Sequence, residues 1–287
     1  MRKRLFAVVS VCLLCFRAQA YDWPVSAPTV VATFGQGVDG HFGAGIAIVG
    51  QGTEVRPIAG GEVVFWYDPA RRPTSQPRGP GAQVVVQHAE RVRSVYSHLA
   101  PSTVTRLAVV SNATVIGALG DSGTALGPTL GLQVMDMETR SFLNPLMVLP
   151  HLRDVQPPVV VRAVLRRSDE MLELGKTPQA TPGTAEMLIE AYDLRQDVPY
   201  RWRLAPYAIA VSVNGRQTSS VVFDSLRYGG ARLTLGADRT ADSVLRGAWL
   251  FSLGEIQLQL GEMHLQFFVR DYAGNESTRE YFLSIKG

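Results

Sequence analysis

Residues 120–134 read GDSGTALGPTLGLQV, and the end of that stretch alternates as a strand does. Thr129, Gly131 and Gln133 fall on one face of an extended chain, and Leu130, Leu132 and Val134 on the other. The leucine and valine face is suited to a core, whereas the opposite face offers a hydroxyl, a bare glycine and an amide. Outward from this strand, β-rich runs at 30–34, 46–49, 62–67, 83–88, 92–98, 114–118 and 130–135 are separated by glycine turns, without helical periodicity. Short strands at this spacing predict an antiparallel sheet or barrel over residues 29–149. Residues 68–81, DPARRPTSQPRGPG, hold four prolines and no apolar pattern, so they read as a surface loop.

Beyond this block, residues 150–158 read PHLRDVQPP, and the paired prolines mark a domain boundary with 151–158 as the linker. Runs at 159–166, 187–192, 207–214, 220–223, 231–235, 264–270 and 279–285 follow, with Asn214-Gly215 as a hairpin turn and 171–184 as a loop. Seven short strands in this second block predict a two-sheet sandwich over residues 159–287. The fold class is therefore all-β.

The first block also carries polar and glycine segments in a fixed order. Phe34-Gly35 is followed by His41-Phe42-Gly43-Ala44-Gly45-Ile46, the run 55–63 (VRPIAGGEV), Tyr96-Ser97-His98-Leu99, Ile116-Gly117 and residues 120–134. This order and spacing, spread over separate segments, resembles the lysostaphin/LytM-type zinc endopeptidases, which cut peptide cross-links in bacterial peptidoglycan. The resemblance implies a LytM-type antiparallel β-sheet domain over residues 21–150. Residues 264–277, HLQFFVRDYAGNES, similarly resemble the late strand and turn of immunoglobulin-like or fibronectin-type sandwiches. In that turn Asp271 and Asn275 side chains can bond backbone amides, while too few oxygens are at hand for calcium.

The family's pattern is H-x-G-x-D, then Y-x-H-L, then G-P-H-L-H-F-E. Carried over residue by residue, the resemblance places the first zinc ligand at His41, the second at Gly45 and the third at Gly131. Of two further family histidines that act on water and the developing oxyanion, one is retained as His98 and the other falls on Thr129. Tyr96 and Gln133 are the expected groove-lining neighbours. A catalytic zinc takes about three protein donors plus an open position for water, and one imidazole does not supply them. No cofactor is expected; zinc enters only if Asp39, Asp121 or Asp136 has taken over a ligand position. The plain reading of His41 and His98 is that of hydrogen-bonded structural histidines, and His88, His151 and His264 match no motif.

Residues 1–20 read as a secretory signal: Arg2, Lys3 and Arg4, an apolar run too short to span a bilayer, then Ala18-Gln19-Ala20. The 28 basic and 25 acidic residues give +3, but Arg17 and the three leading cations belong to this segment, which leaves 24 against 25, or −1. The pI of about 9.0 is thus set by the export signal, and no nucleic-acid partner is implied. Cys12 and Cys15 are also confined there, leaving no disulfide or cysteine metal site beyond residue 20. The expected location is periplasmic or otherwise extracytoplasmic, in a protein not integral to the membrane.

Three functions remain open on the sequence. A degenerate domain binds peptidoglycan peptide or regulates a cell-wall hydrolase, as the family's inactive members do; an active zinc peptidase uses rebuilt ligands; or a scaffold or adhesin binds through its sandwich. The Tyr200-Arg201-Trp202-Arg203 cluster reads either as a contact surface or as a cap on the sandwich edge, and the arginines of residues 71–78 either as a contact for anionic wall polymer or a partner or as part of a solvated loop.

Overall fold

Strict alternation builds the centre of the first sheet. In strand Leu130–Asp136 the side chains of Leu130, Leu132 and Val134 are fully buried, while Gly131 and Gln133 are half-buried on the other face. The strand runs antiparallel to Val92–Leu99, with Gly131 opposite Ser97 and Asp136 opposite Val92. Its other edge is shared between Ile46–Gln51, which covers Leu130 to Leu132, and Ser141–Leu143, which covers Val134 to Asp136. Ala82–Gln87, Gly61–Tyr67 and Val109–Val110 continue the sheet beyond Val92–Leu99. The computed structural model describes residues 21–71, 79–125, 127–176, 179–195 and 202–287. The expected signal, the arginines of 72–78 and residues Tyr200 and Arg201 lie outside these residues.

The second block forms the expected face-to-face sheets. One contains Glu170–Glu173, Val159–Arg167, Gly183–Tyr192 and Leu250–Leu258; the other contains Gln179–Ala180, Glu276–Ile285, Gly261–Arg270, Ala208–Val213 and Arg216–Val222. Asn214 and Gly215 have φ of 50° and 80° between paired Val213 and Arg216, the left-handed pair that a two-residue hairpin requires. Residues 171–173 of the stretch read as a loop belong instead to Glu170–Glu173, an edge strand on Val159–Arg167.

The strand expected at 231–235 lies elsewhere. Ser225–Gly229 pairs with Ser141–Leu143 of the first block, and Arg232–Leu235 pairs with Ser225–Gly229, so this hairpin extends the first sheet instead of the sandwich. Burial of Leu226 and Leu235 on one face drives the docking. Aromatic contacts tie the blocks further: Phe223 stands edge-on to Phe42 of the first block and to Phe251 of the sandwich, each at 6.1 Å. Gly35 is where this ring passes, and any Cβ there would overlap Phe223. Tyr272 donates to the Phe34 carbonyl at 2.9 Å, and Asn144 Nδ2 to the Phe223 carbonyl at 2.8 Å. Among the described residues no helix is long and apolar enough to cross a membrane.

Candidate functional site

His41 sits just past a tight turn. Gly37–Val38 and His41–Phe42 pair across Asp39 and Gly40, whose φ values of 48° and 77° give a two-residue hairpin loop. Phe42 is buried and His41 is exposed. Asp39 therefore occupies the turn and does not stand beside His41 on a strand.

From Phe42 the chain passes through Gly43, whose N–H donates to the Gln36 carbonyl at 2.9 Å, and enters Ile46–Gln51 at Gly45. A Cβ on Gly45 would overlap the Leu132 carbonyl oxygen and stand 2.8 Å from Gln133 Cγ. The Leu132 carbonyl thus stands against the position at which the resemblance expects an aspartate. Gly131 is similarly enclosed: a Cβ there would overlap Ser97 Oγ and lie 3.1 Å from His98 Cδ2. Ser97 is buried and donates to the Gly131 carbonyl at 3.2 Å, so a hydroxyl fills that space. Gly45 and Gln133 thus meet, as do Gly131, Ser97 and His98.

His98 is held in place by its backbone and its ring. Its φ is 64°, at a register shift between Val92–Leu99 and Ala82–Gln87, and its N–H donates to the Pro80 carbonyl at 2.9 Å. Holding a non-glycine residue in the left-handed region costs about 1 kcal/mol, offset here by these contacts. The ring Nδ1 lies 2.9 Å from the Ser122 carbonyl. A carbonyl only accepts, so in neutral His98 the proton is on Nδ1 and Nε2 is an acceptor. Thr129 is half-buried, and its hydroxyl donates to the Gly127 carbonyl at 3.3 Å.

Tyr96 does not line the groove. It is fully buried on the opposite face, where its hydroxyl accepts from Ile58 N–H at 2.7 Å and joins Ser94 at 2.8 Å. Ser94 in turn lies 2.7 Å from His88 Nε2, and His88 Nδ1 lies 3.0 Å from the Gly60 carbonyl. Burial raises the Tyr96 phenol and lowers the His88 imidazole, which keeps both neutral in this chain of hydrogen bonds.

The carboxylates that could replace lost ligands are placed otherwise. Asp121 is exposed. Asp136 accepts from Glu138 N–H at 2.8 Å and from the Thr139 hydroxyl at 2.7 Å, and the Thr139 bond leads in holding its carboxyl below the usual range. At the three positions where the resemblance expects zinc ligands, His41 is the one ligand-type side chain; the Leu132 carbonyl stands against Gly45 and the Ser97 hydroxyl against Gly131, a donor set that does not fit zinc.

Another carboxylate group was not foreseen. Asp154, Asp193 and Asp271 bring ligand atoms within 4.8 Å of one another where the linker meets the sandwich. Asp271 does accept from Asn275 N–H and Nδ2, each at 2.8 Å, as its turn reading requires. Burial, followed by repulsion from Asp271 and Asp154, pushes the Asp193 carboxyl up to about 7. The three residues are separated by 39 and 78 positions, and no local pattern announces their meeting. His264 stacks on Phe282 at 4.6 Å and stands 3.3 Å from Glu280, a surface arrangement in the sandwich.

Comparison with known proteins follows the same division. Residues 40–145 match the family model Peptidase family M23, and residues 157–286 match a second family model. None of the curated proteins matches the chain. Among solved structures, the chain is similar to a chain of the SpoIIQ-SpoIIIAH pore forming complex (20% identity, 45% of this chain and 90% of that one, TM-score 0.36). It is also similar to the catalytic domain of lysostaphin from Staphylococcus simulans (24% identity, 36% and 76%, TM-score 0.30). A zinc-containing peptidase from Vibrio cholerae gives 19% identity and a TM-score of 0.34, over 40% of this chain and 36% of that longer protein. On the match to that family model, the segment 40–145 of this chain is a peptidase family M23 domain.

Proposed function

We propose that the M23 domain of this chain is non-catalytic and acts outside the cytoplasm, where it binds peptidoglycan peptide or regulates a cell-wall hydrolase. The observation that carries this reading is the approach of the Leu132 carbonyl to Gly45 and of the Ser97 hydroxyl to Gly131. A catalytic zinc is held by about three donors with a fourth position left for water. Here the Leu132 carbonyl, Gln133 and Ser97 fill the space that two of those donors need. The core face of the same strand keeps Leu130, Leu132 and Val134 fully buried, so the sheet's packing does not depend on a metal. The extracytoplasmic location rests on the basic, apolar and small-residue order of residues 1–20.

The test is to incubate the purified chain with peptidoglycan sacculi, alone and with a cell-wall hydrolase. The expected result is co-sedimentation with sacculi or faster product release by the hydrolase, with no release by the chain alone. Chelator-sensitive release by the chain alone would contradict the proposal.

A further inference from the structure

The hairpin that leaves the sandwich does more than extend the first sheet. Together with Ala241 and Asp242 of the one-turn helix Ala241–Val244 it forms the far wall of a cleft of about 450 Å³ whose near wall is the His41 hairpin. That volume is within the ordinary range of ligand sites. The floor is apolar: Phe42 and Ala241 are buried and Leu233 is half-buried. The rim carries His41, Tyr228, Arg232 and Asp242, all exposed. His41, the one retained ligand-type side chain, thus opens toward residues of the second block.

We infer that this composite cleft binds a peptide carboxylate flanked by a small aliphatic side chain. The inference rests on the peptide-binding reading above and gives it a place distinct from the closed groove.

Hydrogen-bonding capacity carries the argument. Arg232 Nη1 donates to Asp242 Oδ2 at 3.2 Å, and a guanidinium has five N–H donors, so a carboxylate can still be held by two of them in parallel. Both partners of this pair are about two-thirds exposed, at 64% and 67%. An exposed pair of this kind adds little to stability, so a ligand carboxylate can displace Asp242 at small cost. Among the described residues neither the His41 ring nor the Tyr228 hydroxyl has a hydrogen-bond partner, and both stand on the same rim. Beneath them Phe42, Leu233 and Ala241 offer an apolar floor for a methyl or short aliphatic side chain. Asp242 competes with the ligand for Arg232, and this sets the sign of the decisive variant.

The experiment titrates N-acetylalanine and its uncharged analogue N-acetylalaninamide into the isotope-labelled chain and follows backbone amide shifts. The acid is expected to give saturable shifts at residues 38–42 and 228–242, with the amide about tenfold weaker. Arg232→Gln is expected to weaken the acid about tenfold, and Asp242→Asn to tighten it severalfold by freeing the guanidinium. Equal binding of acid and amide, indifference to Arg232→Gln, or no saturable shift overturns the cleft. Shifts at 129–133 in place of these also overturn it, yet leave peptide binding by the M23 domain standing. Binding in the cleft by a chain that neither sediments with sacculi nor affects a hydrolase keeps the cleft and overturns the function proposed above.

Discussion

The groove and the junction between the blocks are opposites in how they hold polar groups. At the groove, positions 45 and 131 carry no side chain, and backbone and neighbouring side chains have closed into the space. At the junction, three carboxylates from distant segments crowd within 4.8 Å, with Asp193 and Asp271 almost fully buried. The strand through the groove nevertheless keeps its register with Val92–Leu99, because pairing needs backbone groups and a buried apolar face, not ligands. Two positions where the resemblance expects ligands carry no side chain, while among the described residues three carboxylates meet where no motif points.

The largest expected effect belongs to the junction. Asp193 has its folded carboxyl raised from 3.8 to about 7 by burial, Asp271 and Asp154, so the folded state binds the proton more tightly than the unfolded one. Its contribution is fully present below the ordinary carboxylate value and is lost as pH rises through about 7. The total is on the order of 4 kcal/mol. Urea unfolding between pH 4 and 8 should show stability falling with pH, and Asp193→Asn should flatten that slope. An unchanged slope in the variant would remove the contrast between junction and groove.

A somewhat smaller effect is expected from restoring a family ligand. Gly45→Asp forces a Cβ against the Leu132 carbonyl and should destabilise the chain by about 3 kcal/mol without adding zinc affinity. A variant as stable as the parent that takes up zinc would show that the groove is open after all. Smaller again is Tyr96→Phe on the core face. It strands the Ile58 N–H and breaks the link to Ser94 and His88, at a cost of about 2 kcal/mol in urea unfolding. A cost near zero would place the Tyr96 hydroxyl in contact with water, as groove lining would require.

Much of the first sheet was legible in local pattern. Leu130, Leu132 and Val134 alternate cleanly with Thr129, Gly131 and Gln133, and the face assignment follows from that alone. Asn214-Gly215 likewise announced its turn. Tyr96 was misread because the left-handed His98 interrupts alternation, leaving Tyr96 and Leu99 both in the core. Leu250–Leu258 passed unnoticed because Gly254, at φ 87°, breaks its period at a register shift against Gly183–Tyr192. The docking of Ser225–Gly229 on Ser141–Leu143 depends on a long-range pairing, and its local pattern suits either sheet. The composite cleft and the carboxylate cluster depend on the same long-range meeting of segments.

The most direct test of the central claim is elemental analysis of the purified chain after exposure to zinc and dialysis, combined with an assay of peptidoglycan cleavage. A groove closed at Gly45 and Gly131 predicts zinc well below one ion per chain and no cleavage. One zinc per chain, with cleavage that a chelator abolishes, would contradict it.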